Sequence, residues 1–167
     1  MENKENNNVL WLEDQYEDFD AHLSALDRAD FTVDTVKSVS EVVEKLRTKN
    51  YCAVIFDIKV LPGNDPRWLE LDKRKRDMNP NFDSHLGLEL LHSLLAPESA
   101  NVKLDPPILI NPRKIIVFSV VYDKSDEIAA LGVPGDQIIY KSNSTLKTLP
   151  RLIKKIQEQE SGEDSDE

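Results

Sequence analysis

A single aspartate closes the run YCAVIFD at residues 51–57. Short apolar runs of this kind read as strands buried on both faces of a sheet. An Asp at the exit of such a strand lies at the carboxyl edge of a parallel sheet, where open α/β folds hold their ligands. Asp57 is thereby a candidate nucleophile toward phosphorus. On this stretch alone an Asp that caps the following turn fits better, so the case depends on what else ends a strand. Glu13 and Asp14 directly follow VLWL at 9–12, Ser119 lies near the end of KIIVFSVV at 114–121, and Lys141 ends QIIYK at 137–141. Each is ordinary by itself. Acid pairs and lone lysines are mostly solvated surface, and a serine bonds local backbone. As a set they have one chemistry in common. Two or three carboxylates at one point repel and invite a hard cation with oxygen ligands, and Mg²⁺ is the usual one beside phosphate. A lysine and a serine hydroxyl supply positive charge and a donor to the oxygens of a transferring phosphoryl group. The order is acid pair, acid, hydroxyl, lysine, each closing a separate apolar strand.

The elements between them must bring these ends together. Tyr16, Phe19, Leu23 and Leu26 recur at spacings of three and four, which predicts a helix after the first strand. FTVDTV at 31–36 is β-branched and predicts a second strand. Ser38 or Ser40 caps the next helix, with Glu41 or Glu44 close to the capping-box offset and Val39, Val42, Val43 and Leu46 inward. GLELLHSLL at 87–95 predicts a helix, 125–131 a short one closed by Gly132, and Leu146, Leu149, Leu152 or Ile153, and Ile156 the stripe of the last. Pro150 requires that helix to kink or to start late. The pattern is βα repeated five times, which predicts a doubly wound five-stranded parallel sheet covered on both faces. Residues 61–85 are rich in turn formers and too long for an ordinary strand-to-helix connection, so they read as an inserted loop in which Trp68, Leu69 and Leu71 could pack a short helix. A second long connection, about 96–113, carries four prolines.

Composition narrows the class. The 167 residues suit one domain, with a leader over 1–8, a folded region over 9–157 and an acidic, disordered tail over 158–167. A net charge of −10 argues against general nucleic-acid binding. The one basic cluster, KRKR at 73–76, is flanked by Asp72 and Asp77 and reads as a solvated patch. No apolar stretch reaches the length of a membrane span, and the polar start MENKENNN is not a signal peptide, so a cytoplasmic protein is expected. Cys52 is the only cysteine and reads as a packed core thiol.

These residues as a set resemble the response-regulator receiver domains of two-component signalling, the CheY-like family. VLWLED resembles the family's first strand with its acidic pair, and VIFDIKVLPG its phosphoacceptor strand and loop. GLELL resembles the start of its third helix, IIVFSV the strand with the Thr or Ser, and IIYKS the strand with the lysine. The resemblance implies a flavodoxin-like (βα)5 fold over nearly the whole chain. It implies that Asp57 accepts a phosphoryl group from a histidine kinase, a histidine phosphotransfer protein or a small phosphodonor. It implies Mg²⁺ held by Asp14, Asp57 and the backbone carbonyl of Lys59, with Glu13 assisting, and phosphoryl oxygens held by Lys141 and Ser119. Self-phosphorylation and autodephosphorylation are then the only turnover expected. Output runs through a downstream partner protein, with a homodimer through the fourth helix, fifth strand and fifth helix as a further expectation.

Several positions depart from the family pattern. Pro62 falls one residue late, Val120 stands where a small residue is favoured, and Ser142 replaces the usual proline after the lysine. Ile138 occupies the place of the family's switch aromatic, and the loops around the third helix are expanded. Val120 and the expanded loops favour an alternative, a degenerate receiver acting as a phosphorylation-independent binding or dimerisation module, whereas the five intact positions favour the phosphoacceptor. A phosphohydrolase of the haloacid dehalogenase type orders its Asp, Ser/Thr and Lys similarly. It requires a second Asp where this chain has Lys59, and metal acids after the lysine rather than before it.

Overall fold

The computed structural model describes residues 4–81, 83–121 and 123–163. Five strands, β1 (Asn8–Leu12), β2 (Thr32–Val36), β3 (Ala53–Phe56), β4 (Ile115–Ser119) and β5 (Ile138–Tyr140), form one sheet in the order β2-β1-β3-β4-β5. Every pairing is parallel. The central strands are continuous apolar runs because both of their faces are covered. Leu10, Leu12, Val54, Phe56, Ile115 and Val117 pack on one side. They meet α2 (Val39–Thr48), α4 (Leu86–Leu95) and Ile128 of α5 (Ser125–Ala130). Val9, Trp11, Ala53, Ile55, Ile116 and Phe118 pack on the other, against α1 (Asp20–Arg28) and α6 (Thr148–Glu163). The edge strands β2 and β5 are only partly buried, as their mixed composition requires.

Local rules explain the boundaries. Ser38 accepts from the Glu41 N–H while the Glu41 carboxylate accepts from the Ser38 N–H, a complete capping box at the start of α2. Pro150 sits in the first turn of α6, which starts at Thr148, and its missing N–H there removes no helical bond. The Cys52 thiol is buried, and burial pushes its pKa up to about 11, as a packed core thiol requires.

The two ends of the chain depart from the sequence reading. Residues 6–8, expected within the leader, are tied to the fold: Asn8 opens β1, the Asn7 carbonyl accepts from Thr32 N–H, and Gln157 donates to Asn6 and Asn7. Residues 158–163, expected in the tail, belong instead to α6, which runs to Glu163. Residues 1–3 and 164–167 lie outside the described residues.

The inserted segment departs further. It contains a 13-residue helix, α3 (Pro66–Met78), capped by Asp65 with Pro66 in its first turn. Trp68 and Leu71 of α3 are buried in the same core as Leu86, Leu90 and Leu91 of α4 and Val102 and Leu104 of the second long connection. Leu69, read as a third packing residue, is half exposed. The two expansions therefore pack on each other and on the sheet. Arg67 seals the joint by donating to the Lys103 carbonyl at 2.9 Å. Within the basic cluster, Lys75 pairs with Glu89 and donates to the Ser84 carbonyl, and Arg76 pairs with Asp72.

Helix α4 approaches the sheet through Gly87. Its N–H donates to the Ile58 carbonyl at 3.0 Å, and a Cβ there would lie 2.0 Å from the Asp57 carbonyl oxygen and 2.9 Å from the Ile58 Cα. Gly87→Ala must push the helix off the strand end. The expected cost is about 2–3 kcal/mol in urea unfolding, whereas an Ala for Gly in an unobstructed helix gains up to ~1 kcal/mol. Gly162→Ala is the control, since nothing lies within 4 Å of a Cβ there.

Candidate functional site

Sheet register assembles the site. Leu12 is level with Phe56, so Glu13 and Asp57 leave neighbouring strands side by side. Their N–H groups donate to the Val36 and Leu12 carbonyls at 2.9 and 3.0 Å, which carries the ladder one residue past each strand. Ser119 is level with Tyr140, which puts Lys141 at the next exit. The Lys141 side chain crosses above β4 and lies between the two acids. Its Nζ donates to Glu13 Oε2 at 2.5 Å and to Asp57 Oδ2 at 3.0 Å. Glu13 and Asp57 are 1% and 4% exposed, so this is a buried cluster and not a surface ion pair.

Each carboxylate is held at its other oxygen. Asp57 Oδ1 accepts from the Ile58 N–H at 2.7 Å, and Glu13 Oε1 accepts from the Gln15 N–H at 3.2 Å. Asp14 is half-buried beside them. One oxygen from each of Glu13, Asp14 and Asp57 lies within 4.8 Å of the others. Three hard oxygen donors so placed, with buried negative charge in excess of Lys141, fit a hard divalent cation. Ser119 is buried, and its Oγ accepts from the Val121 N–H at 3.2 Å, which leaves its O–H to donate elsewhere. Lys59 pairs through its side chain with Asp83 at 2.9 Å.

Electrostatics follow from burial and crowding. Burial, then the Asp57 charge, push the Glu13 pKa up to about 7, against the opposing pull of Lys141. Burial works against the Lys141 ammonium, but the Asp57 charge and the contacts with Glu13 outweigh it and hold its pKa above the ordinary lysine range. Because Glu13 keeps its proton in the folded chain to higher pH than in the unfolded one, its contribution falls as pH rises from about 4.5 to about 7. In EDTA, this Glu13 decline runs against the opposite contribution of His22 and His85, whose pKa values burial holds below the ordinary histidine range, so it is read as the difference between the wild type and Glu13→Gln. Glu13→Gln should flatten that part of the profile, and urea midpoints measured at a series of pH values check it.

At the carboxyl edge of the sheet Glu13, Asp14, Asp57 and Lys141 form one cluster, with Ser119 at the adjoining strand end. Sequence reasoning missed the aromatic seat of the lysine. Lys141 Nζ lies 4.8 Å from the Phe19 ring centroid and 5.8 Å from that of Phe118. Phe19 reads in sequence only as part of a helical stripe and Phe118 only as strand core, and neither has a local signal for a cation above it. Val120 is exposed beside the site. Ile138 and Tyr140 are both half-buried, with Tyr140 level with Ser119.

No family model matches the chain, and no curated protein matches it in sequence. Solved structures do match in fold. A CheY-like response-regulator receiver domain from Methanospirillum hungatei is 16% identical at a TM-score of 0.56, covering 95% of this chain and 98% of the other. A Francisella response-regulator receiver domain is 14% identical at 0.58, covering 92% and 98%. The receiver domain of a sensor histidine kinase from Pseudomonas aeruginosa, with a magnesium ion coordinated in its active-site cleft, is 12% identical at 0.51, covering 92% and 98%. The architecture is a doubly wound, flavodoxin-like five-stranded sheet with an acidic cluster at its carboxyl edge. It is the fold of the CheY-like receiver domains.

Proposed function

We propose that this chain is a response-regulator receiver that takes a phosphoryl group onto Asp57. The observation that carries this reading is Lys141 Nζ bridging Glu13 and Asp57 at a buried sheet edge, with Asp14 alongside. An Asp57 carboxylate oxygen attacks phosphorus. The bond to the donor's histidine nitrogen or acyl oxygen breaks, and the donor leaves with that bond's electron pair. Asp14, Asp57 and the Lys59 carbonyl would hold Mg²⁺ with Glu13 assisting, and the metal would neutralise charge on the phosphoryl oxygens. Lys141 and the Ser119 hydroxyl would bind two of those oxygens. Phosphorylation would draw Lys141 and Ser119 toward the new group and shift the population of arrangements of α5, β5 and α6. A histidine kinase or phosphotransfer protein would be the donor and a second protein the effector, with a homodimer on that same face as a further option for output. A cytoplasmic location belongs to the same proposal; among the described residues no helix is long and apolar enough to cross a membrane.

The test is intact-mass spectrometry after incubation with a small acyl phosphate. Gain of one phosphoryl group with Mg²⁺, and none in EDTA, is the expected result. The exposed Val120 and the packed α3 favour a phosphorylation-independent binding module as the second reading. That reading stands if no phosphoryl group is gained and Mg²⁺ does not bind.

A further inference from the structure

A groove of about 740 Å³ runs between α1 and α6. Its floor is apolar, made by Ala25, Ala29, Leu146 and Pro150. Arg28, Lys147, Arg151 and Lys154 line it, and none of the four has an acidic partner among the described residues. Lys155 at the groove is already paired with Asp136, and Glu158 closes the far end. Four unpaired cations against one carboxylate thus sit on a chain whose net charge is −10. This concentration of positive charge opposes the sign of the whole protein, and a partner of negative charge is steered to it. The groove follows α6 from its first turn to Glu158, about 15 Å at 1.5 Å per residue, or some three turns of a helix laid alongside.

We propose that this groove docks an acidic amphipathic helix of a partner protein. The helix places its apolar stripe on Leu146, Pro150 and the two alanines and its carboxylates on the flanking cations. A nucleic-acid strand fits less well. It would leave the apolar floor uncovered, and the remaining surface of an acidic chain repels it. The proposal goes beyond the phosphoacceptor reading and uses none of its residues.

The experiment is an NMR titration of the full chain, without Mg²⁺ or phosphodonor, using a synthetic peptide. The peptide carries leucine at i, i+3, i+4 and i+7 and glutamate elsewhere. Shift changes confined to residues 25–29 and 146–158 are expected. Arg151→Glu combined with Lys154→Glu should weaken binding about tenfold or more. Leu146→Ser, which leaves every charge in place, should weaken it several-fold, and added salt should weaken it as well. The exposure of Leu146, Arg151 and Lys154 makes these variants compatible with an intact fold. No binding, shifts elsewhere, or equal affinity for a scrambled peptide of the same composition overturns the proposal. Tighter binding of a single-stranded oligonucleotide also overturns it.

Discussion

Asp57→Asn is expected to abolish phosphoryl acceptance while leaving the fold intact. The amide matches the carboxylate in shape, and its oxygen can still accept from the Ile58 N–H that Asp57 Oδ1 takes at 2.7 Å. It cannot act as a nucleophile toward phosphorus, because the oxygen carries no charge and the nitrogen lone pair is delocalised. The electrostatic consequences partly cancel. Lys141 loses its 3.0 Å carboxylate partner, while Glu13 loses the repulsion that helps to raise its pKa. Net stability should therefore change by no more than about 1 kcal/mol, and the Glu13 pKa should fall below its value of about 7. Affinity for Mg²⁺ should drop on the order of tenfold with one of three carboxylates gone. Intact mass with an acyl phosphate, a Mg²⁺ titration and urea midpoints at a series of pH values on the same preparation check all four. Phosphoryl label surviving in the Asn variant would sink the assignment of Asp57.

Trp68→Ala is expected to be the largest single loss of stability, about 3–5 kcal/mol. Trp68 is 0% exposed, and its core cluster joins α3 to α4 and the second long connection. Removing the indole opens a cavity at that three-way junction, and α3 has few other anchors, with Leu71 the only other buried residue along it. The indole Nε1–H is buried without a hydrogen-bond partner. Trp68→Phe therefore gives up packing but no hydrogen bond and should cost under about 1.5 kcal/mol. Urea midpoints for the two variants, with hydrogen exchange along residues 66–78, distinguish an integral helix from an appended flap. If Trp68→Ala speeds exchange only in that segment and leaves global stability unchanged, the expansion is a flap.

These two residues mark how much of the protein could be read from its sequence. Asp57 was legible because an apolar run ending in a lone carboxylate is a local pattern, and because Glu13, Asp14, Ser119 and Lys141 end similar runs. The cap of α2 and the start of α6 were legible only as alternatives, Ser38 or Ser40 with Glu41 or Glu44 and a kink or a late start at Pro150, and the structure takes Ser38 with Glu41 and a start at Thr148. Trp68 was only half legible. Its segment is crowded with turn formers and a KRKR run, so helical periodicity is weak. Its partners Val102 and Leu104 lie in a separate connection more than thirty residues away. At residues 6–8 and 158–163 polar composition predicts less order than the fold imposes. Asn6 to Asn8 are held by bonds from β2 and α6, which composition cannot reveal.

By itself the sequence determined the class of fold and the set of chemical groups at its edge. Apolar period and strand-end residues are short-range properties, written within a few positions of one another. Only the tertiary structure decided what those groups are to each other. Lys141 reaches Glu13 across 128 residues and Asp57 across 84 because β1, β3, β4 and β5 stand in that order in one sheet. The raised pKa of Glu13, the aromatic seat of Lys141 and the fit of Gly87 against the Asp57 carbonyl follow from that closeness. Burial and Coulomb energy depend on distance in space, and the sequence gives only distance along the chain.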